Sequence, residues 1–333
     1  MKIFYAVQAT GNGHISRAMQ ITPWLQKMGE VDIFLSGSNS SLKCTLPIKY
    51  RSRGISLYNT DEGGLDYLRI IKSNSYIRAC REARDLPIEK YDVVINDFEP
   101  ITSKACKLKN KKSIQFSHQA SFRSQFTPRP LHTDLIGEWI FKQYSVSTKY
   151  IGLHFKSYDD FILPPIIKED ILNAVPNDRG HISVYLFSYG IPFFEKYLKR
   201  LPDVRFECFV PDLPENKTYQ SGNISFQPID QHLFNRSLID CHGIITGGGF
   251  ETPSEALYLK KKLMVIPVHQ HYEQNCNVVA LNKLGVASLN HNEMSSFDLQ
   301  IRNWLNKPMT AIDLSSCNLK ETIQKVVDIG VAD

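Results

Sequence analysis

The sequence predicts an α/β protein made of two doubly wound domains, each built on a mostly parallel sheet. Three observations lead to this prediction. Short apolar runs alternate with longer amphipathic stretches along nearly the whole chain, as in strand–helix–strand units. The alternation occurs twice, with an interruption near residues 155–170. At 333 residues the chain is also longer than one hydrophobic core usually supports.

The first half contains four apolar runs that we interpret as strands buried on both faces, as parallel strands are. These strands are expected at 2–8, 31–37, 92–97 and 112–118. Amphipathic patterns between the runs predict helices, which we place at 14–28 and 65–84.

The second half repeats the alternation at similar spacing. Strands are expected at 181–189, 204–210, 223–229, 242–247 and 262–268. Helices are expected near 191–200, 231–240, 252–260 and 270–284. Because a helix follows each of several buried strands, this half also predicts a parallel, doubly wound sheet.

Charged residues and a Pro-Pro pair interrupt the pattern within 155–170, which is typical of a linker. We therefore expect a first domain over 1–155 and a second over 156–317. The last segment, 318–333, is predicted to form a helix that packs back on the first domain.

The composition, with 42% hydrophobic and 22% charged residues, is that of an ordinary globular protein. The first residues lack the apolar core of a signal peptide, and no run approaches about 18 apolar residues, so we expect a cytoplasmic protein. The seven cysteines are scattered and form no CxxC pair. This pattern predicts reduced thiols, with neither disulfides nor a zinc site.

Charge is unevenly distributed along the chain. Residues 1–150 hold 22 Lys and Arg against 13 Asp and Glu, whereas residues 151–333 hold 17 against 21. The basic first half either belongs to solvated loops or faces an anionic partner such as a membrane surface. The excess is modest and no aromatic–basic stretch accompanies it, so we do not expect a nucleic acid partner.

The segment ITGGGFETPSEAL, residues 245–257, is the most informative stretch of the chain. An apolar strand runs into three glycines at 247–249, and a helix follows at once. Backbone N–H groups at such a turn, together with the helix dipole, form a site that a phosphate can approach closely. Thr252 adds a hydroxyl, and Glu255 is placed to bind the vicinal hydroxyls of a ribose. The alternative is a tight turn with a capped helix and no ligand.

A second polar turn follows the next strand, in LMVIPVHQHYEQNCNVVAL at 263–281. The strand ends at Pro267, and polar residues follow at the start of a helix: His269, Gln270, Glu273, Gln274 and Asn277. Because ligands of open α/β sheets bind beyond the carboxyl ends of the strands, we expect these side chains beside the glycine turn. A sugar attached to the phosphates is the expected ligand.

Three motifs in this region resemble the donor-binding signature of GT-B glycosyltransferases. They are G-F-E-T-P-S-E at 249–255, I-P at 266–267 and E-Q-x-x-N at 273–277. They are similar to those of the UDP-dependent group and of the N-acetylglucosaminyltransferases that form lipid II. The resemblance implies a GT-B fold, in which two Rossmann-like domains face each other across a cleft and the second domain binds the nucleotide sugar.

The resemblance also implies roles for individual residues. Glu255 would bind the ribose, Glu273 and Gln274 the sugar hydroxyls, and Thr252 with the glycine turn the phosphates. Many members of the UDP-dependent group carry a His where this chain has Gly247, so backbone amides are expected to bind the phosphates here.

Two segments upstream resemble further parts of the donor site. VYLFSYG at 184–190 would lie near the diphosphate, and SFQPID at 225–230 would border the base, although no aromatic residue is evident to stack on it. The complete predicted donor site comprises Gly13, Ser188, Gly190, Ile229, Gly247, Gly248, Gly249, Phe250, Glu251, Thr252, Glu255, His269, Glu273 and Gln274.

The segment QATGNGHISR, residues 8–17, follows the first strand. A dinucleotide-binding fingerprint would need a glycine where Ser16 stands, so a dehydrogenase is not expected. His14 begins a helix at the carboxyl end of the sheet, and Asp97 ends another strand of it, where it can orient an imidazole. G-H-I and V-V-x-x-D-F resemble the family's catalytic segments, which implies His14 as base and Asp97 as its partner.

Other polar residues are assigned to the acceptor side. His118 and Gln119 follow a strand and are expected at the mouth of the cleft, and Arg17 either steers a phosphate or stays in solvent. Asp97 and Glu99 have the spacing of two metal ligands, but such pairs are common and amides can stabilise the leaving group instead. We therefore expect neither a metal nor another cofactor.

The predicted function is transfer of a hexosyl or N-acetylhexosaminyl group from a nucleoside diphosphate donor, foremost UDP, with inversion. The acceptor hydroxyl would belong to a glycan, a lipid-linked molecule or a small molecule, and the basic first domain could contact the inner face of a membrane. Two alternatives remain open. A nucleotide-sugar hydrolase or non-hydrolysing epimerase would release free sugar or interconvert the donor, and a non-catalytic binding protein would bind the donor without turnover.

Overall fold

The computed structural model describes residues 1–9, 11–37, 44–58, 66–214, 217–308, 312, 314 and 318–332. The chain divides into two compact units. The first unit consists of Met1–Thr127, Leu131–Ile166 and Ser316–Asp333, and the second of Pro128–Pro130 and Ile167–Ser315.

The described residues of the first unit form a seven-stranded sheet in the order β3-β2-β1-β4-β5-β6-β7, in which each pair is parallel. The strands are β1 (Lys2–Gln8), β2 (Glu30–Ser36), β3 (Ile48–Ser52), β4 (Val93–Asp97), β5 (Ile114–Ser117), β6 (Lys149–Leu153) and β7 (Ile162–Leu163). The helices are α1 (Asn12–Gln26), α2 (Tyr67–Ser73), α3 (Tyr76–Asp85), α4 (Pro100–Leu108) and α5 (Leu135–Gln143).

The centre of this sheet is buried on both faces. Every residue of β4 is buried, and so is every residue of β1 after Lys2. On one face Phe4 and Ala6 pack against α3 and α4, through Ala83 and Ala105 among others. Strands that are apolar on both faces need helices on both sides, which gives the doubly wound architecture.

The second unit has the same architecture. Its described residues form a seven-stranded sheet in the order β10-β11-β9-β8-β12-β13-β14, parallel except for the β10–β11 pair. The strands are β8 (His181–Tyr185), β9 (Arg205–Val210), β10 (Tyr219–Ser221), β11 (Ile224–Pro228), β12 (Gly243–Thr246), β13 (Lys262–Val265) and β14 (Ala287–Ser288). The helices are α6 (Glu169–Leu172), α7 (Ile191–Leu198), α8 (Gln231–Asp240), α9 (Glu251–Tyr258), α10 (Tyr272–Lys283) and α11 (Phe297–Asn306).

The last helix, α12 (Leu319–Val331), belongs to the first unit. It buries Ile323, Val326 and Val327. Gly330 lies so close to the sheet that a Cβ there would meet Val93 Cγ1 at 2.6 Å. The helix therefore covers the face of β4 and β5 opposite to α4.

The predicted helix at 65–84 is in fact two helices, and residue 65 lies outside the described part of the chain. The break occurs at Asn74, whose side-chain amide binds both backbone groups of Ser56. Ser75 then caps α3 by accepting a hydrogen bond from the Arg78 N–H. The polar side chains of residues 74 and 75 bind backbone groups instead of continuing the helix, which is why the pattern was misleading.

The predicted linker at 155–170 contains β7, which pairs with β6 in the first sheet. The first unit therefore continues to Ile166. The sequence did not predict five strands, which are short and mostly partly exposed and so lack a long apolar run: β3, β6, β7, β10 and β14.

Six of the cysteines are free thiols, as predicted: Cys44, Cys80, Cys106, Cys208, Cys241 and Cys276. Cys317 lies outside the described residues. No helix in the described part of the chain is long and apolar enough to cross a membrane. The predicted contact with a membrane surface stays a prediction.

Candidate active site

Both sheets bring their candidate residues to the point where the strand order reverses. In the first sheet this point lies between β1 and β4. His14 comes shortly after the end of β1, and Asp97 is the last residue of β4. In the second it lies between β8 and β12, and the glycine turn at 247–249 follows β12. Crevices at such switch points are where open α/β sheets bind ligands.

His14 and Asp97 are in direct contact. Gly11 precedes α1 with a φ of 88°, a conformation that glycine adopts without strain, and so starts the helix directly after β1. The Nδ1 atom of His14 then lies 2.8 Å from Oδ1 of Asp97. No side chain caps α1, so His14 does not act as a helix cap.

Arg17 is the third member of this cluster. Its Nη2 atom lies 2.7 Å from Oδ1 and 2.9 Å from Oδ2 of Asp97, and its Nε donates to Oδ2 over 3.2 Å. Arg17 is predicted from the sequence to steer a phosphate on the acceptor side or to stay in solvent, whereas in the structure it is buried, with 4% exposure, against Asp97. Its guanidinium thus holds the carboxylate in a fixed orientation.

A hydrogen-bond acceptor and a hydrogen-bond donor both lie close to the Nδ1 atom of His14. Nδ1 lies 2.8 Å from Asp97 Oδ1 and 2.9 Å from Arg17 Nη2. A protonated Nδ1 donates to Asp97, whereas an unprotonated Nδ1 accepts from Arg17. Only the first arrangement leaves the lone pair of a neutral ring on Nε2, so Asp97 and Arg17 together control which nitrogen can act as a base.

Asp97 is fully buried yet ionised at neutral pH. Burial raises the pKa of its carboxyl, but the positive charge of Arg17 and the contact with His14 lower it by more, so the pKa lies below its ordinary value. A buried carboxylate of this kind destabilises the fold unless its cationic partner is present beside it.

Glu99 has a different function from Asp97. Its carboxylate accepts hydrogen bonds from the N–H groups of Ile101 and Thr102 and so caps α4. Burial raises the pKa of Glu99. Among the described residues no three His, Cys, Asp or Glu side chains are arranged to hold a metal ion. That the protein works without a metal remains a prediction.

His118 and Gln119 were expected at the mouth of a cleft, whereas the structure buries both side chains. His118 is 1% exposed, and its Nδ1 lies 2.8 Å from the carbonyl oxygen of Leu153. Its ring packs against those of Phe122 and His154. Gln119 is 5% exposed and begins a short 3-10 helix. Both side chains contribute to the interior of the first unit.

In the second unit, Gln274 joins the two predicted turns. Its Oε1 accepts from the N–H of Gly248 over 3.2 Å and from the N–H of Val268 over 2.9 Å. Asn277 adds a hydrogen bond from its Nδ2 to the carbonyl of Gly248. Gln274, which was predicted to bind the sugar, thus uses its side-chain oxygen to fix the glycine turn, and its Nε2 stays the candidate contact for a ligand.

The glycine turn leads into α9 without a capping side chain. Phe250 occupies the N-cap position, and neither Thr252 nor another side chain accepts a hydrogen bond there. The capped helix start of the alternative is therefore not observed, and the binding of a ligand at this turn stays a prediction. Thr252 and Glu251 are half-buried, so the first turn of α9 is accessible in part. Backbone N–H groups at an uncapped helix start are the usual partners of a phosphate.

Glu255 is paired with Lys168. Lys168 Nζ lies 3.0 Å from Oε1 and 3.3 Å from Oε2 of Glu255, which is 1% exposed. Burial raises the pKa of Glu255, and the charge of Lys168 opposes this shift. Lys168 lies in the stretch 155–170 that the sequence pattern marks as a linker, so no local signal points to it as a site residue.

The remaining predicted donor residues are distributed over loops and the first turns of helices. In the second unit Ser188 and His269 are exposed, Glu273 is half-buried and Ile229 is 37% exposed. Gly190 immediately precedes α7, and a Cβ there would meet Asp212 Oδ2 at 2.6 Å. Gly13, the last residue of the predicted set, is half-buried in the first turn of α1, in the first unit.

The family model of glycosyl transferase family 1 matches residues 1–307. The chain belongs to this family. Its fold is similar to those of several solved GT-B structures, at low sequence identity. The resemblance inferred from the motifs and the GT-B fold class are thereby confirmed.

Three of these structures illustrate the similarity. The glycotransferase of kitacinnamycin has a TM-score of 0.63 at 14% identity and covers 98% of both chains. LpCGTa in complex with UDP has a TM-score of 0.61 at 13% identity, covering 100% of this chain and 99% of its own. MurG of Acinetobacter baumannii has a TM-score of 0.55 at 12% identity, covering 99% and 98%. No curated protein sequence matches this chain.

Within this family 1 chain, the glycine turn provides a matched pair of variants. A Cβ on Gly248 would lie 3.0 Å from both Cβ and O of Gln274, whereas a Cβ on Gly249 would meet no atom within 4 Å. We expect Gly248→Ala to lower the free energy of unfolding by about 1–3 kcal/mol. Gly249→Ala is expected to leave it unchanged or to raise it by about 0.5–1 kcal/mol. Urea denaturation of the two variants measures both, and equal stabilities would contradict the structure of the turn.

Proposed function

We propose that this family 1 protein is a nucleotide-sugar glycosyltransferase that transfers a hexosyl or N-acetylhexosaminyl group to an acceptor hydroxyl with inversion. The observation that carries the proposal is the contact of 2.8 Å between His14 and the ionised Asp97 at the switch point of the first sheet. An imidazole oriented by a buried carboxylate is an effective general base.

The second unit would bind the donor. The start of α9, which follows the glycine turn and has no side-chain cap, would offer backbone N–H groups to the diphosphate. Glu255 would accept hydrogen bonds from the ribose hydroxyls, and Glu273 with the amide of Gln274 would bind the sugar. UDP is our choice of nucleotide because LpCGTa, which has the same fold, was solved with UDP.

The reaction would proceed as a single displacement. Nε2 of His14 takes the proton of the acceptor hydroxyl as the acceptor oxygen forms a bond with the anomeric carbon. The bond between that carbon and the diphosphate oxygen breaks with both electrons, and UDP leaves. Asp97 stabilises the imidazolium that results, and the backbone N–H groups of the second unit stabilise the charge on the leaving diphosphate.

The acceptor would be a glycan, a lipid-linked molecule or a small molecule. Proteins of the same fold include the glycotransferase of kitacinnamycin and MurG. We assign the acceptor no narrower class. If it is lipid-linked, we propose that the protein works at the surface of a membrane, which the basic first half of the chain favours.

The test begins with thermal denaturation in the presence of a panel of nucleotide sugars, because a ligand stabilises the fold that binds it. The stabilising donor is then incubated with a panel of acceptors, with and without EDTA. Formation of an acceptor glycoside with inverted anomeric configuration, unaffected by EDTA, supports the proposal. Free sugar in the absence of an acceptor indicates a hydrolase, an altered donor indicates an epimerase, and donor binding without any turnover indicates a binding protein.

A further inference from the structure

Glu255, the residue proposed to bind the ribose, forms an ion pair with Lys168. The Nζ of Lys168 bridges the two carboxylate oxygens at 3.0 Å and 3.3 Å. The side chains of Lys168 and Glu255 are only 13% and 2% exposed. We infer that Lys168 is the positioning residue that makes the donor site select ribonucleotides over deoxyribonucleotides. This inference rests on the proposed function of Glu255.

The proposed selection of ribose depends on the number of hydrogen-bond acceptors that the carboxyl group of Glu255 offers. An ionised carboxylate accepts hydrogen bonds on both oxygens, and a ribose presents two neighbouring hydroxyls as donors. A protonated carboxyl has one acceptor oxygen fewer to offer and adds a donor instead. A buried carboxylate stays ionised only beside a compensating charge, and Lys168 supplies that charge to Glu255.

The position of Lys168 is set by contacts within the second unit. Lys168 immediately precedes α6, and Asn235 of α8 donates to Asp170 in this helix over 3.3 Å. Tyr258 at the end of α9 donates through its hydroxyl to the carbonyl of Leu172. The segment that carries Lys168 is therefore attached to the helix that carries Glu255. The ammonium group is held on the carboxylate independently of any ligand.

A bridging contact also fixes the direction of the carboxylate. Since Nζ takes one hydrogen-bonding position on each oxygen, the remaining lone pairs of Glu255 are left for a ligand. A free carboxylate rotates about its last bond, whereas this one is held in a single orientation. Lys168 thus contributes to binding without itself contacting the nucleotide. Loss of the pair is expected to affect the ribose hydroxyls specifically.

The experiment measures the affinities of UDP and 2′-deoxy-UDP by calorimetry. The wild-type protein is expected to bind UDP more tightly by about 10-fold, the effect of one hydrogen bond to a charged group. Lys168→Met and Lys168→Gln are expected to reduce this ratio of affinities to below about 3-fold, mainly by lowering the affinity for UDP. Lys168→Arg should retain it. Lys199→Met, which alters an exposed lysine of the same unit, is the matched control and should leave the ratio unchanged.

The outcomes separate this inference from the proposed function. If Glu255→Gln no longer prefers UDP over 2′-deoxy-UDP while the folded Lys168 variants keep the wild-type preference, Lys168 has no role in selecting the ribose. The inference is then overturned. If Glu255→Gln keeps the wild-type ratio, or the wild-type protein binds both nucleotides equally or neither, the assignment of Glu255 to the ribose of UDP is wrong. Two substitutions at position 168 are used so that poor folding of one does not prevent the comparison.

Discussion

His14→Ala is expected to lower the rate of sugar transfer by about 10²–10⁴-fold, the usual contribution of a general base, while donor affinity is unchanged. The reason is that the variant lacks the nitrogen that would accept the proton of the acceptor hydroxyl. The glycine turn and Glu255 lie in the second unit and are not altered. Initial rates at saturating donor, with calorimetric measurement of donor binding, provide the test.

His14→Asn is the matched control for this prediction. The amide nitrogen of Asn can take the place of Nδ1 and keep the contact with Asp97, but it offers nothing in the place of Nε2. We expect His14→Asn to be as stable as the wild-type protein and as inactive as His14→Ala. Near-normal turnover in His14→Asn would show that His14 is structural, and the main argument for a transferase instead of a binding protein would be lost.

Asp97→Ala is expected to lower the free energy of unfolding by about 3–5 kcal/mol, because it leaves the buried charge of Arg17 without its partner. Arg17 makes hydrogen bonds to both oxygens of Asp97, and both side chains are almost completely buried. Urea denaturation at pH 7 measures the effect. Combining Arg17→Met with Asp97→Ala removes both charges and is expected to restore part of the lost stability.

The loss of stability in Asp97→Ala is expected to depend on pH, in the direction that the shifted pKa of Asp97 dictates. The pKa of Asp97 lies below its ordinary value of 3.8 in the folded protein. The ion pair therefore contributes fully to stability above that value, and its contribution is lost as the pH falls through the lower pKa of the folded state. The difference in stability between wild type and Asp97→Ala should accordingly be constant near neutral pH and shrink in acid. A difference below about 1 kcal/mol at pH 7 would contradict the buried pair, since breaking such pairs usually costs more.

The sequence predicted the architecture because two local signals agree: the apolar runs indicate buried strands, and the amphipathic stretches between them indicate helices. Runs such as 3–7 and 93–95 are apolar at every position, which is the pattern of strands buried on both faces, and they lie in β1 and β4, two central strands of the first sheet. The approach of His14 to Asp97 followed from the same logic. Residues at the carboxyl ends of neighbouring parallel strands meet at one edge of the sheet, so strand ends alone brought the two together.

The sequence by itself determined the family, the alternation of strands and helices and the positions of the glycine turn and of the His14 segment, because these are carried by local spacing and by motifs. Only the tertiary structure decided which polar groups pair. Arg17 binds a residue 80 positions away and Lys168 one 87 positions away. Gln274 uses its oxygen on the glycine turn, and His118 is buried among aromatic rings. A side chain in a sequence has many potential partners, and its actual partner depends on burial and on contacts that form only when distant segments pack together.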